Sequence, residues 1–112
     1  MTFRSYRLAT AALLLPFITV PAQAGSAGMG SISGVIAHHA GVFFELSSPR
    51  TAPPACASQN RWLINSATNQ GQAMIAVLLT AQMQGKRVGV VGMGSCDVWT
   101  DTETVDHFIV EN

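Results

Sequence analysis

The chain has 112 residues, of which 48% are hydrophobic and 11% are charged, and six cationic residues balance six acidic ones. This balance excludes the basic surface that nucleic-acid-binding domains carry, so we expect no nucleic-acid partner. The length allows one small domain and is too short for two.

The N-terminal residues are typical of an export signal. Arg4 and Arg7 precede an apolar stretch at residues 8–20, and Ala22-Gln23-Ala24 has the small-x-small pattern that signal peptidase cleaves. The alternative is a transmembrane anchor, but two prolines interrupt the region and a spanning helix needs about 20 consecutive apolar residues. The pattern therefore predicts a signal peptide at residues 1–24 that is cleaved off. It also predicts a secreted or periplasmic protein with no membrane association after cleavage.

The expected mature chain is slightly acidic. Residues 25–112 contain all six carboxylates but only four of the six cationic residues, which gives a net charge of −2 with neutral histidines. Residues 25–30 are small and rich in glycine, so we expect a flexible leader before a domain at residues 31–112.

Apolar runs separated by glycine-rich and proline-rich segments predict five strands and one helix in this domain. Thr68 or Asn69 can cap the helix and Gly85 can end it, while three prolines in residues 47–55 indicate an exposed loop. The predicted strands span residues 32–38, 42–46, 61–65, 87–91 and 105–110. Three strands, a helix and two strands is the order of the five-stranded OB-fold barrel, a mainly β member of the α+β class.

Cys56 and Cys96 are the only cysteines of the chain. Exported small domains are commonly stabilised by disulfides, so the two cysteines are expected to pair with each other. The alternative, a redox or metal site, lacks a Cys-x-x-Cys motif and a histidine near either cysteine.

The predicted helix has more apolar surface than one small domain needs. At 100° per residue it carries two adjacent apolar stripes and no charged side chain between residues 68 and 85. The first stripe contains Met74, Val77, Leu78 and Ala81, and the second contains Ile75, Leu79 and Met83. We expect the second stripe to bring the helix against another subunit, and the predicted interface residues are Met74, Ile75, Val77, Leu78, Leu79 and Met83. The alternative is a helix buried on two sides within one domain.

Three short segments carry a resemblance to a known family. The first strand opens with Ser33-Gly34-Val35-Ile36, Ala55-Cys56 is followed shortly by Trp62, and the helix ends in Gly85-Lys86-Arg87-Val88. In this order, over most of the mature chain, the sequence resembles the B subunits of the subtilase cytotoxin and of related pertussis-type and typhoid-type toxins. The resemblance implies an OB-fold subunit that forms a homopentameric ring with its helices lining a central pore.

The resemblance also implies binding of sialylated glycans on host cells and, as a second partner, an enzymatic toxin A subunit. In that family a serine just before a glycine in the first strand contacts the sialic acid, and Ser33 matches it; the alternative is a serine that only faces solvent. This chain has Met29 where the family has an acidic residue, and Val91-Gly92 where it has a tyrosine. These departures leave open a different sugar specificity or no sugar binding.

Among the other polar and aromatic residues, Trp99 lies in a polar loop and is a candidate platform for sugar stacking. Adjacent strand residues point to opposite faces, so we expect His38 and His39 not to share a metal. The same argument separates Asp106 from His107 and disfavours a catalytic triad with a serine.

The acidic residues Asp97, Asp101, Glu103 and Asp106 lack the spacing of a calcium loop and are expected to be solvated. No enzyme, metal or cofactor is predicted.

Two hypotheses of function follow from the sequence. The first is a glycan-binding module that resembles a toxin B subunit. The second is a small exported protein with a structural or protein-interaction role, which has the same fold and disulfide but no sugar site. Fold alone does not choose between them.

Overall fold

The computed structural model describes residues 9–17 and 23–112. Residues 9–17 belong to no helix or strand and are exposed, and the predicted signal features at Arg4, Arg7 and Ala22 lie outside the described residues. In the two described ranges, no helix combines the length and the apolar character needed to cross a bilayer. The elements in chain order are β1 (Ser26–Gly30), β2 (Ile32–His38), β3 (Gly41–Leu46), β4 (Arg50–Thr51), β5 (Trp62–Asn65), α1 (Asn69–Met83), β6 (Val88–Gly92) and β7 (Glu103–Val110).

The strands form one mixed sheet in the order β2-β3-β5-β7-β6-β1-β4. The pair of β5 and β7 is parallel, and the other neighbouring strands are antiparallel. Only Ser31 separates β1 from β2 along the chain, yet β2 pairs with β3 whereas β1 pairs with β6 and β4. The predicted mainly β fold with one helix is confirmed.

The prediction of a flexible leader at residues 25–30 is wrong, because this segment forms β1. Its small residues permit close packing: Ala27 is buried in the core, and a side chain at Gly30 would lie within 2.7 Å of the backbone nitrogen of Ser48. Part of the predicted loop at residues 47–55 also joins the sheet, since Arg50–Thr51 pairs with β1 as β4. The glycines of residues 25–30 led to the prediction of a mobile segment. In the structure, their lack of side chains instead allows the strands to approach each other closely.

The hydrophobic core lies between the inner face of the sheet and α1. Alternate residues of β3 point into it, as the two-residue period of a strand requires, while Phe43 and Leu63 are buried outside it, away from this main cluster. The buried core residues are Ala27, Val42, Phe44, Leu46, Trp62, Ile64, Leu78, Ala81, Val88, Val90 and Val105.

Helix α1 begins and ends close to the predicted positions. The Thr68 hydroxyl accepts a hydrogen bond from the Gly71 backbone N–H at 2.9 Å, and Gly85 adopts a φ of 66° just after the helix. Gly71 is buried against the Asn65 carbonyl, where any larger residue would overlap the backbone of β5. The absence of a side chain there lets the first turn of the helix pack directly on the sheet.

The buried face of α1 differs from the first predicted stripe. Leu78 and Ala81 are fully buried and Met74 and Ile75 are partly buried, whereas Val77 is 49% exposed. Residues 71, 74, 75, 78 and 81 follow one another at the i, i+3, i+4 and i+7 spacing of a helical face, so Ile75 takes the place that was expected for Val77. Leu79 and Met83 of the second stripe are exposed, at 39% and 89%.

Cys56 and Cys96 form a disulfide bond with a Cα–Cα distance of 6.1 Å, as predicted. The bond joins the segment before β5 to the loop between β6 and β7. It therefore fixes the base of the loop that carries Trp99.

Candidate ligand-binding site

The two residues expected to contact a glycan lie apart. Ser33 is exposed on β2 opposite Glu45 of β3, next to Gly34 with a φ of 57°. Trp99 instead packs 4.9 Å from the ring of His38, at the far end of β2. Ser33 and His38 are five positions apart along the strand, which corresponds to roughly 16 Å at about 3.3 Å per residue. The structure therefore does not bring Ser33 and Trp99 into one contact site.

Trp99 belongs to a group of four rings on the outer side of β2 and β3, which we term the aromatic cluster. Its members are His38, His39, Phe43 and Trp99. Trp99 lies 5.5 Å from Phe43 and 6.3 Å from His39, measured between ring centroids. Phe43 is 3% exposed and forms the floor of the cluster, whereas His39 is exposed. The arrangement is a solvent-facing aromatic surface built on a buried ring.

The expectation that His38 and His39 point to opposite faces is wrong. Their ring centroids are 4.0 Å apart, because β2 ends at His38 and His39 lies in the following turn, where strand alternation no longer applies. The Ala40 backbone N–H donates to His38 Nδ1 at 3.3 Å. Within residues 9–17 and 23–112, no group of three or more histidine, cysteine or acidic side chains could hold a metal ion.

Polar groups border the aromatic cluster on the side of β5. The Arg61 guanidinium lies 4.3 Å from the centroid of Phe43, and its Nε donates to the Thr102 hydroxyl at 2.9 Å. Its Nη2 is 3.3 Å from Asp101 Oδ1. A hydrogen bond from Thr102, with a further contribution from Arg61, holds the pKa of Asp101 below its ordinary value. The Arg61 guanidinium thus stands beside the aromatic surface, whereas the Thr102 side chain is fully buried and its hydroxyl donates to Asp101.

Glu103 was expected in a solvated loop, and this prediction is wrong, because the side chain is 0% exposed. Its Oε1 accepts from Arg50 Nη2 at 2.8 Å, and its Oε2 accepts from the backbone N–H groups of Gly25 and Gly94, each at 2.9 Å. A side chain at Gly25 or Gly92 would overlap this carboxylate. Gly25 and Gly92 therefore create the space in which Glu103 is held.

Arg50 completes the buried ion pair. Its Nη1 donates to the carbonyls of Arg61 at 2.7 Å and Gln59 at 3.1 Å, and its guanidinium lies 4.0 Å from the Trp62 ring. Burial lowers the pKa of Arg50, and the charge of Glu103 opposes this shift. The sequence offers little indication that Arg50 and Glu103 form a buried ion pair. Neither residue lies in an apolar pattern, and their positions are far apart in the chain.

Asp106 and His107 also lie on the same side, contrary to expectation. His107 Nδ1 is 2.6 Å from Asp106 Oδ2, and both side chains are more than half exposed. The register of β7 against β6 shifts between Val91 and Gly92, so that regular alternation is interrupted at this point of the strand. The contact is a solvated surface pair.

A cavity of about 420 Å³ lies between the start of α1 and the β6–β7 loop. Its lining includes Thr68, Met74, Asp97, Thr104 and Asp106. The two carboxylates disfavour an anionic sugar by charge repulsion. The aromatic cluster, where the Arg61 guanidinium offsets the charge of Asp101, is therefore the better candidate for an anionic ligand.

No family model, curated protein or solved structure matches the chain. The candidate site consequently rests on its own geometry.

Proposed function

We propose that this chain is an exported glycan-binding module of the toxin B-subunit type, with a binding role and no catalytic one. The observation that supports it best is the aromatic cluster, in which Trp99 and the partly exposed Arg61 guanidinium both lie against Phe43 and the ring of His39 is exposed. Sugars bind to proteins through apolar ring faces combined with a few oriented polar groups, and a cationic guanidinium suits the carboxylate of a sialic acid.

The sheet order supports the finer proposal of a five-stranded OB-fold barrel. If β1 and β2 are taken as one bent strand, its first half pairs with β6 and its second half pairs with β3. These two partners are the end strands of the series β3-β5-β7-β6. A bent strand of this kind would close a five-stranded barrel, with β4 as a short addition at the edge. The helix follows the third long strand, which is its place in this architecture.

Replacement of Trp99 by Ala is expected to weaken glycan binding by about tenfold or more, because an aromatic contact of about 1.4 kcal/mol corresponds to that factor. His39→Ala, at an exposed cluster position, should also reduce binding and leave the fold intact. The measurement is a glycan array with the oxidised protein, followed by titration of the best sialylated glycan.

His107→Ala is the matched control, since His107 is an exposed histidine outside the aromatic cluster. Equal binding by the His39 and His107 variants would contradict the assignment of the site. Ser33→Ala tests the separate contact implied by the family resemblance, and full binding by that variant would remove Ser33 from the site.

The second candidate is an exported structural or protein-interaction domain without a sugar site. Ser33 lies opposite Glu45, whose carboxylate would repel that of a sialic acid. Trp99 also covers Phe43, which gives it a packing role independent of any ligand. A silent glycan array from a folded, oxidised protein would favour this candidate.

We propose that the subunits associate through α1, as in a homopentameric ring. Val77, Leu79 and Met83 are exposed on a helix without charged residues, and Leu78, also expected in the interface, is committed to the core of its own chain. A small apolar cavity of about 210 Å³ between Val77 and Phe108 offers a place for a partner side chain. The proposal of an A subunit rests on the family resemblance.

Met83→Glu is expected to convert the oligomer into monomers, because a second copy would have to bury the new charge. The side chain is 89% exposed, so the fold of each subunit should be unaffected. Native mass spectrometry measures the change. Gln82→Glu adds the same charge to the neighbouring exposed position and serves as the control; a wild-type chain that is monomeric at micromolar concentration would contradict the ring.

Export is the remaining part of the proposal. Leu13, Leu14, Leu15 and Phe17 are 73–95% exposed, so this apolar segment does not pack on the domain. Ala24, the last residue of the proposed signal, is exposed and belongs to no helix or strand, which supports a signal that ends at this residue. The disulfide fits a secreted or periplasmic destination.

A further inference from the structure

Gly25, the residue that follows the proposed cleavage point, is buried although Gln23 and Ala24 before it are exposed. Its backbone N–H donates to Glu103 Oε2 at 2.9 Å, and its carbonyl accepts from the Gly92 N–H at 2.8 Å. The nitrogen atom that cleavage would release thus already lies on the carboxylate of a fully buried glutamate.

We infer that Glu103 is a built-in receptor for the new N-terminus of the processed chain, an inference that rests on the proposed export signal. A signal peptidase adds water across the Ala24–Gly25 peptide bond, Ala24 leaves as a carboxylate, and Gly25 takes up protons as an α-ammonium. The ammonium then forms a buried ion pair with Glu103. A neutral amide donor is replaced by a cation with three N–H groups.

The geometry around the carboxylate is suited to two cations. Arg50 occupies Oε1, while Oε2 accepts from Gly25 and from the backbone of Gly94. Arg50 also distributes its charge over two backbone carbonyls and the face of Trp62. A side chain at residue 25 would overlap Glu103 Oε1, so only a glycine brings an α-nitrogen to this position.

The burial of Gly25 also implies an order for signal cleavage and folding. In the folded chain Gly25 is buried and its carbonyl is bonded to β6, so a protease cannot bind the peptide in an extended form around this bond. Cleavage therefore precedes folding, and the ion pair forms only in a correctly processed chain. Processing by the peptidase stabilises the product that it releases.

The experiment compares the chain of residues 25–112 with the chain of residues 24–112, both released from a fusion partner and oxidised. Every described helix and strand lies within residues 26–110, so both chains contain the whole fold. The second chain retains a neutral amide at Gly25 and differs by one residue. Carbon-13 glycine labels and NMR follow the titration of the α-amine, and urea midpoints follow stability.

In chain 25–112, we expect the pKa of the Gly25 α-amine to rise by at least about one unit above its ordinary value of about 7.7–8.0. The charged groups that face it are Glu103 of β7 and Arg50 of β4. Because the folded-state pKa is raised, the extra stability is complete below about pH 7.7 and is lost as the pH rises through the raised value. Chain 25–112 should therefore have the higher urea midpoint at pH 7, and this advantage should shrink towards pH 10.

An ordinary α-amine pKa in a folded chain 25–112, or equal midpoints of the two chains at pH 7, would overturn the inference. Glu103→Gln should abolish the difference between the chains; if that variant does not fold, the NMR titration of the wild-type chain still decides. Mass measurement of the exported protein tests the export signal separately, since an N-terminus other than Gly25 would refute the cleavage point. Glycan binding at Trp99 is independent of all these outcomes.

Discussion

Glu103→Gln is expected to lower the free energy of unfolding by about 3–5 kcal/mol, the largest effect of any single substitution considered for this chain. The change removes the negative charge at constant size and leaves the Arg50 guanidinium, whose side chain is 8% exposed, without its carboxylate partner. Urea denaturation of the oxidised protein at pH 7 measures the loss.

Glu111→Gln is the matched control, because it removes the carboxylate of an exposed ion pair with Arg87. Solvent screens such pairs, so the urea midpoint of this variant should stay close to that of the wild type. Arg50→Met tests the same buried pair from the other side and should also be strongly destabilising. A Glu103→Gln variant as stable as Glu111→Gln would show that the buried pair contributes little.

Loss of the disulfide is expected to cost about 4 kcal/mol in the chain-entropy model, because Cys56 and Cys96 are 40 residues apart. The double variant Cys56→Ser/Cys96→Ser removes the bond with little change in packing, since Cys56 is exposed and Cys96 is only partly buried. The urea midpoint should fall by the amount that corresponds to this energy. For a domain of this size, such a loss is a large part of the total stability.

Reduction of the wild-type protein provides the control for this variant. The reduced protein and the double variant should unfold at the same urea concentration, because both lack the same covalent constraint on the unfolded chain. Equal urea midpoints for the oxidised and the reduced wild-type protein would instead show that the disulfide does not contribute to stability. Trp99 lies three residues after Cys96, so reduction should also weaken glycan binding through movement of the loop.

The two stabilising features converge on the loop between β6 and β7. Cys96 anchors this loop to the segment before β5, and Gly94 of the same loop donates to Glu103. Trp99 further along it contributes to the aromatic cluster. The proposed ligand site is therefore held by the disulfide and the buried ion pair, which is how a small domain can present a preorganised binding surface.

Local sequence patterns predicted most of the elements. The apolar runs of β2 and β3 and the cap and stop of α1 at Thr68 and Gly85 depend on neighbours within a few residues, and the structure confirms them. The sequence predicts a binding role for Trp99 as an aromatic residue in a polar loop. Its partners in the aromatic cluster were missed, because a turn at His39 ended the strand alternation on which that argument relied.

By itself, therefore, the sequence determined the mainly β class, the bounds of the helix and the cysteine pairing, because each depends on short-range periodicity or on the presence of only two cysteines. Tertiary structure alone decided that β1 is a strand and that Glu103 is buried. Gly25 and Glu103 are separated by 78 positions, and no local pattern encodes a contact between them. A charged residue can be buried only where a distant cation and backbone donors compensate it, and folding alone brings these groups together.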